Sequence, residues 1–352
     1  SATESTASQS GVYDVDFLTN GFQIKNTYNP FNNSSGTYLF MAIAANPDTT
    51  APTKTSSFNT ITWSGSGGAT NITTVGFKPD LVWWKARNSS SYNWKAINSI
   101  RGASKNLYPN LTNAEATDVA TTAFIDNGFS FGSGGNGNVS SLNFVGYAWK
   151  GLDHDRNLAA INNDGSITSI VSANPEAGFS IFRNIGTPST SSTIGHGLSQ
   201  APDLVIQKAF AVTGDWYVLF KVDGTNWQYS KLNTTAAFLT PGTTFGLSST
   251  TINNWGWNGY DMINYCWHSV AGHSKIGTYT GNASTTGPSI TVGFRPSWVL
   301  IKKTSGTGSW YIFDAARAGS TTAFPKMLYV NLSNVEYDTT GTAYDGMVIT
   351  TT

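Results

Sequence analysis

The carboxylates of this chain are the first place to look for chemistry, because glycoside hydrolysis needs two of them held a fixed distance apart, one as acid and the other as base or nucleophile. Glutamate is scarce here, and the four are Glu4, Glu115, Glu176 and Glu336. Glu115 and Glu336 occupy matching positions in two copies of a repeated segment, which favours a structural role, since duplicated scaffolds seldom duplicate active sites. We therefore expect no catalytic residue and no enzymatic activity.

Histidine supplies few metal ligands. His268 and His273 stand five positions apart, while a metal site needs several converging side chains. The position of His268 is taken by Lys150 in an earlier copy of the same segment, so it accepts unrelated residues. The sequence predicts no zinc site.

The run from Asp153 through His154 and Asp155 to Asn157 places oxygen ligands at alternate positions, as calcium loops do. Leu158 stands where such loops carry their turn-forming glycine, and no glutamate closes the run. Calcium held between units and an ordinary solvated linker are both compatible with this run, and we predict the linker. No metal and no other cofactor is expected.

An aromatic segment carries the binding prediction. Tryptophan and tyrosine on a glycine- and asparagine-rich loop offer flat faces for sugar rings, and nearby amide and carboxylate groups can bond to hydroxyls. We predict a carbohydrate-binding site at Trp255, Trp257, Asn258, Tyr260 and Asp261. The alternative is that Trp255 and Trp257 fill a contact between units or subunits.

The chain that must position these residues repeats itself. The segment GFKPDLVWWK (residues 76–85) returns as GLSQAPDLVIQK (197–208) and as GFRPSWVLIKK (293–303), and each copy is followed by a strand that contains tryptophan. A unit of about 100 residues recurring in this way predicts modular construction. The apolar runs within the three copies predict central strands that are covered on both faces.

Short strands and turn signals follow one another through each copy, and no convincing amphipathic helix interrupts them. This spacing predicts an all-β fold of tandem, jelly-roll-like antiparallel β-sandwich repeats. We expect Asn-Gly and Asp-Gly pairs, such as those at Gly21 and Gly128, to supply the positive φ angles of tight turns. The predicted units are residues 1–52 (a partial repeat), 53–160, 161–271 and 272–352.

Neither end of the chain coincides with a repeat boundary. It begins at the Asn-Gly-Phe element and stops directly after the same element of the last copy. We hypothesise that residues from about Gly11 to Ala45 complete the C-terminal unit, within one chain or between neighbouring chains. Flanking repeats beyond both ends would explain the same pattern.

Composition excludes several classes of protein. Charged residues make up 11% of the chain and the formal net charge is +0, which argues against nucleic acid and anionic lipid as partners. Cys266 is the single cysteine, so no intrachain disulfide can form. No apolar run is long enough to span a bilayer, and no Gly-x-Ser-x-Gly motif in a strand-to-helix setting indicates a serine nucleophile.

Taken together, the recurring motifs GFKPDLVWWK, RGASKNLYPNLTNAE, DNGFSF, YAWK and GHSKIGTYTGN resemble a repeat domain of virion structural and tail-fibre-like proteins of marine bacteriophages. The resemblance covers nearly the whole chain from Gly11 onward. The copies also depart from the pattern, since the stretch from Gly197 to Asp203 carries an insertion of two residues and Ser297 replaces the usual aspartate. The resemblance carries no catalytic residues over to this chain.

The resemblance implies a non-enzymatic virion protein, part of a tail fibre or another appendage, that is assembled in the host cytoplasm and exposed on the particle. The expected partners are other copies of the chain, as a homotrimer by analogy with the family, other virion proteins, and host cell-surface polysaccharide. A capsid decoration or tail connector protein that does not bind the host is the alternative. A polysaccharide depolymerase is the reading that the residues support least.

Overall fold

The computed structural model describes residues 15–18, 20–24, 32–44, 57–118, 121–152, 159–222, 226–241, 245–255, 257–284, 287–318 and 326–338. These residues form an almost entirely β structure, and every pairing between its strands is antiparallel. The predicted all-β, antiparallel sandwich fold is confirmed. The first three strands are β1 (Val15–Leu18), β2 (Gly21–Ile24) and β3 (Thr37–Ile43).

The first unit is a large sheet with a small sheet packed on one face. The large sheet has the order β4-β12-β6-β7-β8-β9, and the small sheet has the order β10-β11-β5. The strands are β4 (Phe58–Ser64), β5 (Thr70–Ile72), β6 (Leu81–Ala86), β7 (Lys95–Asn98), β8 (Gly102–Leu107), β9 (Ala116–Thr117), β10 (Thr121–Ile125), β11 (Gly128–Phe131) and β12 (Asn143–Trp149).

The second unit repeats this plan with an added edge. Its large sheet has the order β13-β14-β15-β21-β17-β18-β19, and its small sheet pairs β16 with β20. The strands are β13 (Ala160–Asn162), β14 (Ser169–Asn174), β15 (Phe179–Ile185), β16 (Thr193–Gly195), β17 (Leu204–Ala209), β18 (Trp216–Lys221), β19 (Trp227–Lys231), β20 (Thr251–Asn253) and β21 (Asp261–Trp267).

The third unit is assembled from both ends of the chain. Its large sheet has the order β22-β3-β24-β25-β26-β27, so β3 lies where β12 and β21 lie in the other units, and β1 and β2 form its small sheet with β23. The C-terminal elements are β22 (Ser274–Thr280), β23 (Ser289–Thr291), β24 (Trp298–Lys303), β25 (Trp310–Asp314), helix α1 (Ala315–Ala318), β26 (Lys326–Tyr329) and β27 (Tyr337–Asp338).

Pairing of β3 with both β22 and β24 brings residues 37–43 against residues 274–280 and 298–303. The N-terminal strands thereby occupy the places that the last three strands of the first unit occupy in that unit, and they do so within one chain. The cost of closing so long a loop is offset by two complete strand ladders and by the apolar faces they bury.

The repeated strands β6, β17 and β24 lie in the middle of the large sheets and are buried on both faces, as their apolar runs predicted. Alternation divides each strand between two cores. Leu81 and Trp83 of β6 face a central core that also receives side chains from the second and third units, whereas Val82 and Trp84 face the first unit's own core under its small sheet. The three large sheets therefore share one central core, and each unit keeps a second one.

Hydrogen bonds between equivalent residues connect the units in a closed cycle. The indole Nε1 of Trp94 in the first unit donates to the carbonyl of Tyr329 in the third unit at 2.7 Å. Trp310 of the third unit donates to Lys231 O of the second unit at 3.1 Å, and Trp216 of the second unit donates to Tyr108 O of the first at 2.9 Å. Each bond leads to the next unit and the third returns to the start, so the units form a ring with pseudo-threefold symmetry.

The same cycle appears between main chains, and a side-chain bond also joins the first and third units. The amides of Glu115, Phe238 and Glu336 donate to carbonyls of the second, third and first units respectively. Tyr147 of the first unit donates its hydroxyl to Asp314 Oδ2 of the third unit at 2.7 Å. The contacts that hold the ring together are thus among those that copying has preserved.

Turns do precede Gly21 and Gly128, at Asn20 and at Asp126–Asn127, but the expected positive φ angles are absent. Neither glycine, nor the asparagine before it, has a positive φ, and both glycines begin strands. A Cβ at Gly21 would lie 1.8 Å from Ile290 O, and one at Gly128 would lie 1.8 Å from Ile72 O. The neighbouring strand therefore lies too close for any side chain, and this close approach requires glycine at both positions.

Candidate functional site

The predicted aromatic segment leaves β20, crosses the end of the second unit and enters β21. Asn254 anchors its start, because the buried side-chain amide donates to the carbonyls of Thr187 at 2.6 Å and Ser189 at 3.1 Å. Asn138 plays the same part in the first unit, where its amide donates to Gly68 O at 2.6 Å. The loop is therefore positioned by a bond that belongs to the repeat.

Trp255 is half-buried and packs within the second unit. Its ring lies edge-on to Tyr229 with centroids 4.8 Å apart and edge-on to Tyr217 at 5.2 Å. It packs on the core beneath the small sheet, against Phe245 among others. The contacts of Trp255 lie within its own unit, so its first role is to hold the loop on the sheet.

Trp257, Asn258 and Tyr260 form the outer part of the loop. Trp257 is half-buried, with its ring 5.1 Å from Tyr217 and 6.3 Å from Tyr260. Asn258 is exposed, and Tyr260 is 43% exposed. An aromatic ring held in place beside an exposed amide and an exposed phenol can stack on a sugar face and bond to its hydroxyls. These are the predicted residues that the structure brings together at the surface.

Asp261 begins β21 and lies to one side of the aromatic rings. Its carboxylate accepts two hydrogen bonds from the Arg183 guanidinium, at 2.9 Å and 3.2 Å. Arg183 in turn lies over the ring of Phe210 at 5.3 Å. The charge of Asp261 is therefore matched within the unit, and its free oxygen is the part that a ligand could use.

The two matching glutamates lie at contacts between units, and arginines hold them. Glu336 of the third unit binds Arg87 of the first at 2.8 Å and Arg317 at 3.1 Å. Burial alone would raise the pKa of Glu336, but the hydrogen bonds and charges of the two arginines outweigh it and hold the pKa below its usual value. Glu115 pairs with Arg101 at 2.6 Å. An ionised, doubly paired glutamate suits a structural link and not a general acid.

Among the described residues, no group of three or more histidine, cysteine, aspartate or glutamate side chains is placed to hold a metal ion. His268 is buried, and its Nδ1 lies 3.0 Å from the carbonyl of Ser269. His154 and the run from Asp153 to Asn157 lie outside the described residues. His196 is also buried, and burial is the main cause that lowers its pKa to about 4.

Three buried lysines were missed at the sequence level. Lys85, Lys208 and Lys302 occupy the same place near the end of each central strand, and burial lowers their pKa to about 8, 8 and 7 respectively. The Nζ of Lys208 donates to three carbonyls, including Thr112 O of the first unit at 3.2 Å. The signal was present, because lysine follows the apolar run in every copy of the repeated segment.

The sequence also gave no sign of a cleft in the first unit. It has a volume of about 320 Å³ and lies where β6, β7 and β9 meet the loops around them. Its lining includes Trp84, Tyr92, Lys95 and Tyr108. Trp84 and Lys95 follow ordinary strand patterns, and only the pairing of β6 with β7 shows that they share a surface.

A protein-family model described as a domain of unknown function (DUF7483) matches residues 53–348 of the chain. No curated protein and no solved structure matches it. In the part of the chain that the structure describes, there is no helix whose length and apolar character would let it cross a membrane.

Proposed function

The chain belongs to the family described as a domain of unknown function (DUF7483), and from that premise we propose that it is a non-catalytic component of a bacteriophage particle. It would form part of a tail fibre or another appendage and act in assembly and in attachment to glycans of the host surface. The observation that carries the proposal is the closed ring, in which the repeated polar side chains serve contacts between units.

A closed ring suits an element of a particle, which must keep its shape while it is attached to other proteins. Trp94, Trp216 and Trp310 use their indole nitrogens for bonds between units. Glu336 uses its carboxylate in the same way. The sandwich units leave broad outer faces for contact, and such faces suit packing against neighbours and weak binding to an extended polymer.

Attachment would use the outer part of the aromatic loop, made of Trp257, Asn258 and Tyr260, with Asp261 beside it. A single aromatic and amide site binds a sugar weakly. Many copies on one particle would turn modest contacts into firm adsorption, because each further contact is intramolecular. The proposed location is therefore the outside of the virion, and the proposed partner is host cell-surface polysaccharide.

The proposed assembly is a homotrimer in contact with other virion proteins. Strand exchange between copies is not needed to complete the third unit, since β1, β2 and β3 pair within their own chain. Contacts between copies would then involve the outer faces. The mass of the purified chain in solution tests this part, and a mass of 37.6 kDa, that of one chain, would remove the trimer.

The attachment test compares two loop variants with the wild type. Trp257→Ala and Tyr260→Ala should weaken binding to immobilised surface polysaccharide of the host by about tenfold each, the effect of losing about 1.4 kcal/mol of contact. Asn163→Ala, a change in a polar turn of the same unit, serves as the matched control. The unfolding midpoint of each variant is measured alongside.

Unchanged binding by both loop variants would remove the loop from the proposal. Localisation of the chain in intact particles by electron microscopy tests the wider claim. Density in a fibre or appendage would support it. Density on the capsid shell or at a tail junction, without affinity for host polysaccharide, would replace it with a decoration or connector role.

A further inference from the structure

The cleft of the first unit is a built site on the side of β6 and β7 that faces away from the central core. Trp84 of β6 and Lys95 of β7 are cross-strand partners at its floor. The Lys95 ammonium lies 5.0 Å from the centre of the Trp84 ring. Both side chains are buried, so the floor is fixed by packing before any ligand arrives.

The walls combine aromatic rings with uncharged polar groups. Tyr92 and Tyr108 are half-buried, and Asn113 and Asn136 are exposed at the opening. Side-chain amides and phenols both donate and accept hydrogen bonds, and aromatic rings offer flat apolar faces. This pairing matches a sugar, whose ring has apolar C–H faces and a rim of hydroxyl groups.

The charge of the cleft is balanced. Among the described residues that line it, Lys95 is the one charged side chain, and its ammonium is paired with the carboxylate of Asp118. An acidic ligand would have to compete with Asp118 for that ammonium. The matched pair therefore favours an uncharged ligand over a carboxylate or a phosphate.

One buried polar atom of a residue that lines the cleft has no partner among the described residues. The indole Nε1 of Trp84 is buried and has no hydrogen-bond acceptor among the described residues. A buried N–H group without a partner is costly, and a water or ligand bound in the cleft would be one source of an acceptor. A hydroxyl oxygen of a sugar is such an acceptor.

The corresponding places in the other units are filled. Tyr217 occupies the position of Lys95 in the second unit, and the rings of Trp255 and Trp257 cover it. Tyr311 occupies it in the third unit, where the ring of Tyr329 lies 5.3 Å away. The first unit alone replaces this tyrosine by lysine, and its cleft remains open.

We propose that the cleft lined by Trp84, Tyr92, Lys95, Tyr108, Asn113 and Asn136 binds an uncharged sugar residue. Its volume of about 320 Å³ falls at the lower end of the range of small-ligand sites, about 300–1,000 Å³, which suits a ligand of that size. The site is separate from the aromatic loop of the second unit, and the proposal does not depend on a role in a virion.

The test follows the Trp84 indole N–H by nuclear magnetic resonance in the full chain, labelled with ¹⁵N at tryptophan. The resonance is assigned by its loss in Trp84→Phe. The probes are the methyl glycosides of glucose, galactose, mannose and N-acetylglucosamine, with methyl glucuronide as the charged comparison. We expect a saturable shift of the Trp84 resonance with at least one neutral glycoside and weaker binding of the glucuronide.

Two variants decide whether the shift reports on the cleft. Tyr92→Ala and Asn113→Ala should each weaken the binding by about tenfold, whereas Trp257→Ala should leave it unchanged. A resonance that no neutral glycoside shifts, a preference for the glucuronide, or binding that survives both cleft variants would overturn the proposal. Loss of binding in Trp257→Ala instead would assign the sugar to the aromatic loop.

Discussion

The indole bonds between units can be tested by exchanging tryptophan for phenylalanine at matched positions of the central core. Trp216→Phe removes the bond to Tyr108 O at 2.9 Å, and Trp310→Phe removes the bond to Lys231 O at 3.1 Å. Trp83→Phe is the control, because Trp83 is buried in the same core and its Nε1 has no partner among the described residues.

The size of the expected destabilisation follows from the hydrogen bond that each carbonyl still accepts in the variant. Tyr108 O still accepts from the amide of Leu111 at 2.9 Å, and Lys231 O still accepts from the amide of Thr234 at 3.3 Å. The variants therefore lose the net worth of one hydrogen bond, about 0.5–1.5 kcal/mol, and avoid the larger penalty of a carbonyl left without a partner. The packing loss from tryptophan to phenylalanine is common to the control and largely cancels.

The assay is urea unfolding at fixed pH, with the free energy of unfolding taken from the midpoint and slope. We expect Trp216→Phe and Trp310→Phe to destabilise the chain by about 1 kcal/mol more than Trp83→Phe does. Trp94→Phe, which loses a bond of 2.7 Å to Tyr329 O, should behave in the same way. Equal destabilisation by the control and the three variants would refute the claim that these bonds hold the ring.

Two further predictions concern pH, and one concerns the aromatic loop. His196 accepts a hydrogen bond from the amide of Leu198 on Nδ1 at 3.1 Å, and its folded pKa of about 4 lies below the unfolded value of 6.5. The free energy of unfolding should therefore fall by up to about 3 kcal/mol as pH drops from 6.5 to 4. His196→Gln should flatten the dependence of the free energy of unfolding on pH in this range. The folded pKa of Lys302, about 7, lies below the unfolded 10.5. Stability should therefore rise from about pH 7 to 10. Lys302→Met should reduce that rise, because Lys85 and Lys208 still contribute to it, while exposed Lys275→Met should leave it unchanged. A Cβ at Gly186 would lie 1.5 Å from Trp257 O, so Gly186→Ala should shift the tryptophan fluorescence, unlike Gly68→Ala, where nothing lies within 4 Å.

Much of the fold could be predicted from the sequence because its signals are local. The apolar runs near Leu81, Leu204 and Trp298 marked strands covered on both faces, and the recurrence of the segment marked the units. Local pattern could not decide where the N-terminal strands pair, since closure within one chain, pairing between chains and further repeats leave the same residues unmatched. That choice depends on contacts between residues more than 200 positions apart.

The candidate site was predictable in composition and not in geometry. The loop residues were evident as aromatic and amide side chains, yet only the packing shows that Trp255 lies against Tyr217 and Tyr229 while Tyr260 faces outward. Gly128 was expected to have a positive φ because glycine serves both such turn positions and close approaches of strands, and sequence does not separate the two. The cleft went unnoticed because Lys95 reads as an ordinary strand residue until Trp84 is placed beneath it.

The measurement that tests the closed ring most directly is a circular permutation. Residues 1–44 are moved to follow Thr352, so that the permuted chain begins at residue 45. It then carries β1, β2 and β3 after β27, as the first unit carries β10, β11 and β12 after β9. The permuted chain should fold with a urea midpoint close to that of the wild type, while deletion of residues 1–44 should abolish cooperative unfolding. A deletion variant that unfolds like the wild type, or a permuted chain that does not fold, would contradict closure of the third unit by the N-terminal strands.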